Sequence, residues 1–151
     1  KPGLGYSLWM GLTVLYLKGY EFIVVLDGDG QHDYPDLSGI DLKGDTLYIF
    51  SRKGTEQRLI SKLGNMLIYY RYRVKDATHG LKIYPSNLIP YFELNYFNNS
   101  FSWQVYVVKT ALKNGFKVVE IPTDNFHKRK YNASHMKLKD VILSLLQVVI
   151  P

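Results

Sequence analysis

Apolar residues at positions 4, 8, 9, 12, 15 and 17 recur at helical spacing, and Gly19 stands where such a helix would stop, so the pattern predicts a helix over 4–18. The run FIVVL (22–26) then breaks that period. It is continuously apolar and β-branched, as expected for a strand buried on both faces of a parallel sheet. QHDYPDL (31–37) is turn-like, and TLYIFS (46–51) predicts a second strand ending at Ser51 and Arg52. Over 56–70, Leu59, Leu63, Met66, Leu67 and Tyr70 mark the apolar face of an amphipathic helix. DATHGLKIYP (76–85) reads as a loop running into a short strand that Pro85 ends. SWQVYVVKTALKNGF (102–116) predicts a helix closed by Gly115, and KVVEIP (117–122) a strand. HKRKYNASHMK (127–137) is a polar, basic loop, and LKDVILSLLQVVI (138–150) a closing amphipathic helix. Strand–helix alternation without repeats predicts one α/β domain, a mostly parallel sheet flanked by helices.

Composition narrows the partners. Hydrophobic residues make up 46% of the 151, enough for a core. The 13 tyrosines suit wet surfaces and membrane interfaces, and a formal charge of +6 favours an anionic partner. The absence of cysteine excludes disulfides, thiolate zinc sites and thiol nucleophiles. The longest apolar stretch, 141–150, is too short to cross a bilayer, which needs roughly 20 residues. No signal peptide is visible and the first residue is Lys1, so the sequence is expected to be part of a longer protein.

The sharpest chemistry lies at the end of the first strand. Ligands of open α/β sheets sit beyond the carboxyl ends of strands, where Asp27 and Asp29 fall. In extended chain, residues 27, 29 and 31 share one side, so Asp27, Asp29 and Gln31 offer three hard oxygen ligands to Mg2+ or Mn2+. Gly28 and Gly30 leave room for a diphosphate. An acidic turn explains the same residues, since Asp and Gly are common turn formers. A phosphatase with the first Asp as covalent nucleophile also begins this way. That chemistry needs a later pair of acids for its metal, and beyond Asp76 no two of Glu93, Glu120, Asp124 and Asp140 are adjacent.

Seven segments in order carry a resemblance: GLGYSLWMGL (3–12), IVVLDGDGQHDYPDL (23–37), SRKG (51–54), RLISKLGNML (58–67), DATHGLKIY (76–84), FSWQVYVVKTALKNGFKVVEIP (101–122) and FHKRKYNAS (126–134). Together they resemble family 2 glycosyltransferases of the polyprenol-phosphate (dolichol-phosphate) mannosyltransferase branch, over nearly the whole chain. The resemblance implies a GT-A-type, Rossmann-like fold. It assigns Asp27, Asp29 and Gln31 to the metal that grips the diphosphate of a sugar nucleotide. It sets Arg52 and Arg58 against donor or acceptor phosphates, Ser61 near the lipid phosphate, with Asn65 on the same helical motif, and Asp76 and Gly80 near the sugar. Arg129 and Ser134 fall on a loop that closes over the site. Departures are His79 for the usual Ser, Leu81 for an aromatic, Lys82 for Arg, Gln57 for a second Arg, Tyr106 for an acid and His135 for Lys.

The resemblance further implies an N-terminal nucleotide-binding part upstream of residue 1, making 1–151 the C-terminal portion of one catalytic domain. Its last helix would lie at a membrane, with the active site facing the cytoplasm. The expected reaction moves one sugar, mannose or glucose, from a nucleotide-sugar donor to a polyprenyl (dolichyl) phosphate, with inversion. Asp29, Arg52 and Arg129 would serve the chemistry, and the acceptor phosphate, largely ionised at neutral pH, needs no strong base. A saccharide or protein acceptor, or a non-catalytic fragment, are the other readings. Nucleic acid is not expected, since the basic residues are scattered and form no recognition module.

Overall fold

The first apolar stripe folds as its spacing predicts: helix α1 (Leu4–Leu17) buries Leu12 and half-buries Leu8, Trp9 and Leu15. The structure, a computed structural model, describes residues 3–28, 37–52, 59–96, 98–123 and 138–149. No nearby side chain caps the start of α1. The Asn99 side-chain oxygen does so instead, accepting the Gly3 and Tyr6 N–H groups at 3.2 Å. At the other end Gly19 takes φ +81°, its N–H reaches the Tyr16 carbonyl, and the Tyr20 N–H reaches that of Leu15. This left-handed closure satisfies the last carbonyls of the helix. Gly115, at φ +79°, ends helix α3 (Trp103–Lys113) in the same way.

The strands are β1 (Phe22–Val25), β2 (Thr46–Arg52), β3 (Lys82–Pro85) and β4 (Lys117–Thr123), in the sheet order β1-β3-β2-β4. Strands β1, β2 and β4 share a direction. Strand β3 runs the opposite way between β1 and β2, so two of the three pairings are antiparallel and only β2–β4 is parallel. The expectation of a mostly parallel sheet is corrected accordingly. The segment after helix α2 (Leu59–Tyr72) re-enters the sheet at the end where β1 leaves it, which forces β3 to run back. Strand β1 is also not buried on both faces as its apolar run suggested. Among the described strands it pairs with β3 alone, and only Ile23 among its residues is fully covered. A 3₁₀ helix, Ser86–Tyr91, follows Pro85 directly and holds Pro90, an element the periodicity did not reveal.

Alternation along the strands divides the interior in two. Ile23, Leu47, Ile49 and Tyr84 face the helices, where they join Leu12 of α1, Ile68 of α2 and Trp103, Val105, Val107 and Val108 of α3. Tyr48, Phe50, Leu81 and Ile83 face the other way, against Leu37, Ile40 and Leu42 of the irregular segment 37–45. The Tyr48 hydroxyl ties that strap down, accepting from the Lys43 N–H at 2.8 Å and donating to the Asp41 carbonyl at 2.9 Å. The described helices thus cover one face, and helix α4 (Leu138–Val149) packs on α2 and α3. No described helix is long and apolar enough to cross a membrane.

Candidate functional site

Asp27 follows β1 at its carboxyl end, and the β1–β3 register, continued outward, brings it opposite Gly80. The side chains agree. A Cβ added to Gly80 would lie 2.1 Å from Asp27 Oδ2 and 2.6 Å from Oδ1, so the carboxylate occupies the space that any other residue at 80 would fill. The bare Cα of Gly80 leaves room for this approach. Asp27 itself is half-exposed, an oxygen donor open to solvent on the rim of the sheet.

The segment leading to Gly80 is braced from three sides. Asp76 is 1% exposed, and its Oδ1 accepts from Asn65 Nδ2 of α2 at 3.1 Å and from the Thr78 hydroxyl at 3.2 Å. Glu120 of β4 uses one carboxylate oxygen to accept the Lys75 and Asp76 N–H groups, each at 2.9 Å. His79 Nδ1 accepts the Leu81 N–H at 3.3 Å, and the His79 N–H donates to the Asp76 carbonyl at 3.2 Å. Lys82 is 0% exposed, and its ammonium donates to the His79 carbonyl and to Gln104 Oε1 of α3. Buried lysines are uncommon because desolvating the charge is costly, and this one has its donors engaged.

Of the residues singled out in the sequence, the structure brings Asp27 to Gly80 and Asn65 to Asp76. Asn65 and Asp76 are both buried and bonded to one another, so in this arrangement they hold structure. Arg52 closes β2 opposite Thr123, and Ser61 lies in the first turns of α2; only their backbones are described. Asp29, Gln31, Arg58, Arg129 and Ser134 lie outside the described residues. Among the described residues, no cluster of three or more His, Asp or Glu could hold a metal ion. Asp27 is therefore the described member of the expected ligand set, and its hard oxygen suits Mg2+ or Mn2+.

Glu120 and Gln104 were not foreseen as site residues, and Lys82 only as a departure from a motif. Their signal is a polar side chain at an inward position of an otherwise apolar strand or helix. Trp103 is core, packed on Phe92 and Tyr106, and Trp9 Nε1 donates to the Phe92 carbonyl at 3.2 Å. Behind the site, burial pushes the Tyr84 phenol well above its ordinary value, the Trp103 indole opposing this and the Asp27 charge adding to it. Between α2 and α3, partial burial, with the neighbouring Lys113 and Arg71, holds Lys109 below its usual value.

No family model matches the chain, and no solved structure matches it. The chain is 27% identical over 165 aligned positions to the polyprenol monophosphomannose synthase of Mycolicibacterium smegmatis. The alignment takes in 98% of this chain and 61% of that protein, so the chain spans less than two thirds of its relative's length. With a mixed α/β sheet and an acid at a strand's carboxyl end, this distant relationship supports a glycosyltransferase-like function.

Proposed function

We propose that the chain is the acceptor-side portion of a glycosyltransferase that moves a hexose, mannose or glucose, from a nucleotide sugar to a polyprenyl phosphate at a membrane surface. The observation that carries this reading is the seating of the Asp27 carboxylate on Gly80, at the carboxyl end of β1, where two of the sequence motifs meet. The likeness to a polyprenol monophosphomannose synthase supports the substrate classes. Asp27, with Asp29 and Gln31, would hold Mg2+ or Mn2+, and the bound ion would neutralise charge on the departing diphosphate. Arg52 and Arg129 would add positive charge at the same leaving group, and Arg58 and Ser61 would meet the acceptor phosphate. The segment bearing Asp76 and Gly80 would border the sugar. An ionised acceptor phosphate attacking the anomeric carbon from the far side gives inversion without a general base. On the packed pair α2–α4, Met66, Tyr69, Tyr70, Ile142 and Leu146 remain exposed, which supports contact with a lipid surface. The active site would face the cytoplasm.

The test is transfer by the full-length protein from labelled nucleotide sugars of the mannose and glucose series to polyprenyl phosphate or to soluble saccharide acceptors. We expect a lipid-linked product that requires Mg2+ or Mn2+ and disappears in Asp29→Ala. Transfer only to soluble acceptors, or undiminished transfer by Asp29→Ala, would overturn the acceptor or the metal assignment respectively.

A further inference from the structure

We infer that Lys82 is a positioning residue for Asp27, fixing the backbone before Gly80 so that a bare Cα is held beneath the carboxylate. Lys82 and Tyr84 point to the helical face, as do Ile49 and Val25 around them, and apolar side chains fill the neighbouring places. An aliphatic residue at 82 would complete that layer with no charge to bury, so packing alone does not account for a lysine. What the ammonium adds is a pair of directed bonds, one to Gln104 of α3 and one to the His79 carbonyl. The His79 carbonyl belongs to the peptide joining His79 to Gly80. Fastening it to a helix that packs in the core fixes where Gly80 stands, and Gly80 is in contact with both carboxylate oxygens of Asp27. Groups that orient metal ligands from behind typically change affinity 10–100-fold when removed.

The inference rests on the metal reading of Asp27, so its test measures Mn2+ binding directly. Full chains carrying Lys82→Met, Lys82→Arg, Gln104→Leu or Asp27→Asn would be titrated with Mn2+ alone by electron paramagnetic resonance, with thermal unfolding in parallel. We expect Lys82→Met to bind Mn2+ about 10-fold or more weakly while still unfolding cooperatively. Lys82→Arg, which restores donors, should recover most of the affinity, and Gln104→Leu, which removes one fastening, should lose less than Lys82→Met. Should Lys82→Met fail to fold, Gln104→Leu decides. Wild-type affinity in Lys82→Met and Gln104→Leu, with affinity lost in Asp27→Asn, overturns the inference and leaves the metal reading standing. Wild-type affinity in Asp27→Asn removes the metal reading and the inference with it.

Discussion

The two faces of the sheet are made from the same strands and serve different ends. Toward the strap 37–45 the inward residues are Tyr48, Phe50, Leu81 and Ile83, and the polar group there, the Tyr48 hydroxyl, is absorbed in holding the strap. Toward the helices the apolar layer ends in Asp27, Asp76, Lys82 and Glu120, of which Asp76, Lys82 and Glu120 are engaged by hydrogen bonds within the fold. The contrast shows how a period of two lets one strand carry an apolar core face and a polar, hydrogen-bonded face at once. At β3, Leu81 and Ile83 pack on one side while Lys82 points to the other, where it bonds the His79 carbonyl and Gln104.

Substitutions on the two faces should therefore fail differently. The largest effect is expected on the strap side: Phe50→Ala should cost about 3–5 kcal/mol, read by denaturant unfolding. Loss of transfer at unchanged stability would erase the division. Next, Gly80→Ala places a methyl group where the Asp27 carboxylate lies and should reduce Mn2+ affinity and transfer about 10–100-fold, with a small change in Tm. A purely structural role for Gly80 predicts the reverse. Third, Glu120→Ala removes the acceptor of two backbone N–H groups and should cost about 1–3 kcal/mol, with faster hydrogen exchange at Lys75 and Asp76. Glu120→Gln keeps an acceptor oxygen and should restore slow exchange; if it does not, charge rather than geometry holds the segment. Fourth, Tyr48→Phe should cost about 1 kcal/mol and leave Mn2+ binding unchanged.

The smallest effect near neutral pH concerns Tyr84, whose phenol is raised by burial. Because its folded value exceeds the unfolded one of about 10, its neutral form contributes fully at lower pH. Stability should then fall as pH rises above 10 toward the folded value, where the unfolded chain alone ionises. Tyr84→Phe should flatten that decline in Tm, and an unchanged slope would mean that other groups govern alkaline unfolding.

Much of this plan could be read before the structure. The glycine stops at 19 and 115, the four strands and the amphipathic helices follow from period and turn chemistry. Strand direction did not, because an apolar run records burial and is silent on pairing. FIVVL looks the same whether its neighbour runs parallel or, as β3 does, antiparallel. Asp27 and Gly80 were each legible as motif positions, but their contact depends on a register that forms across the sheet. Lys82 was harder. A lysine between Leu81 and Ile83 is ordinarily assigned to solvent, and only packing by α3 turns that position inward.

The antiparallel insertion of β3 also sets an order of assembly. Strand β1 finds its partner about 60 residues further along the chain, with β2 and α2 between them. Closing so long a loop has an entropic cost that local helix formation does not meet. Helices α1 and α2 can form early, whereas Asp27 has nothing beneath it until β3 has been synthesised and paired. During vectorial synthesis the acidic residue would therefore stay unseated while β2 and α2 are added, until β3 follows and pairs.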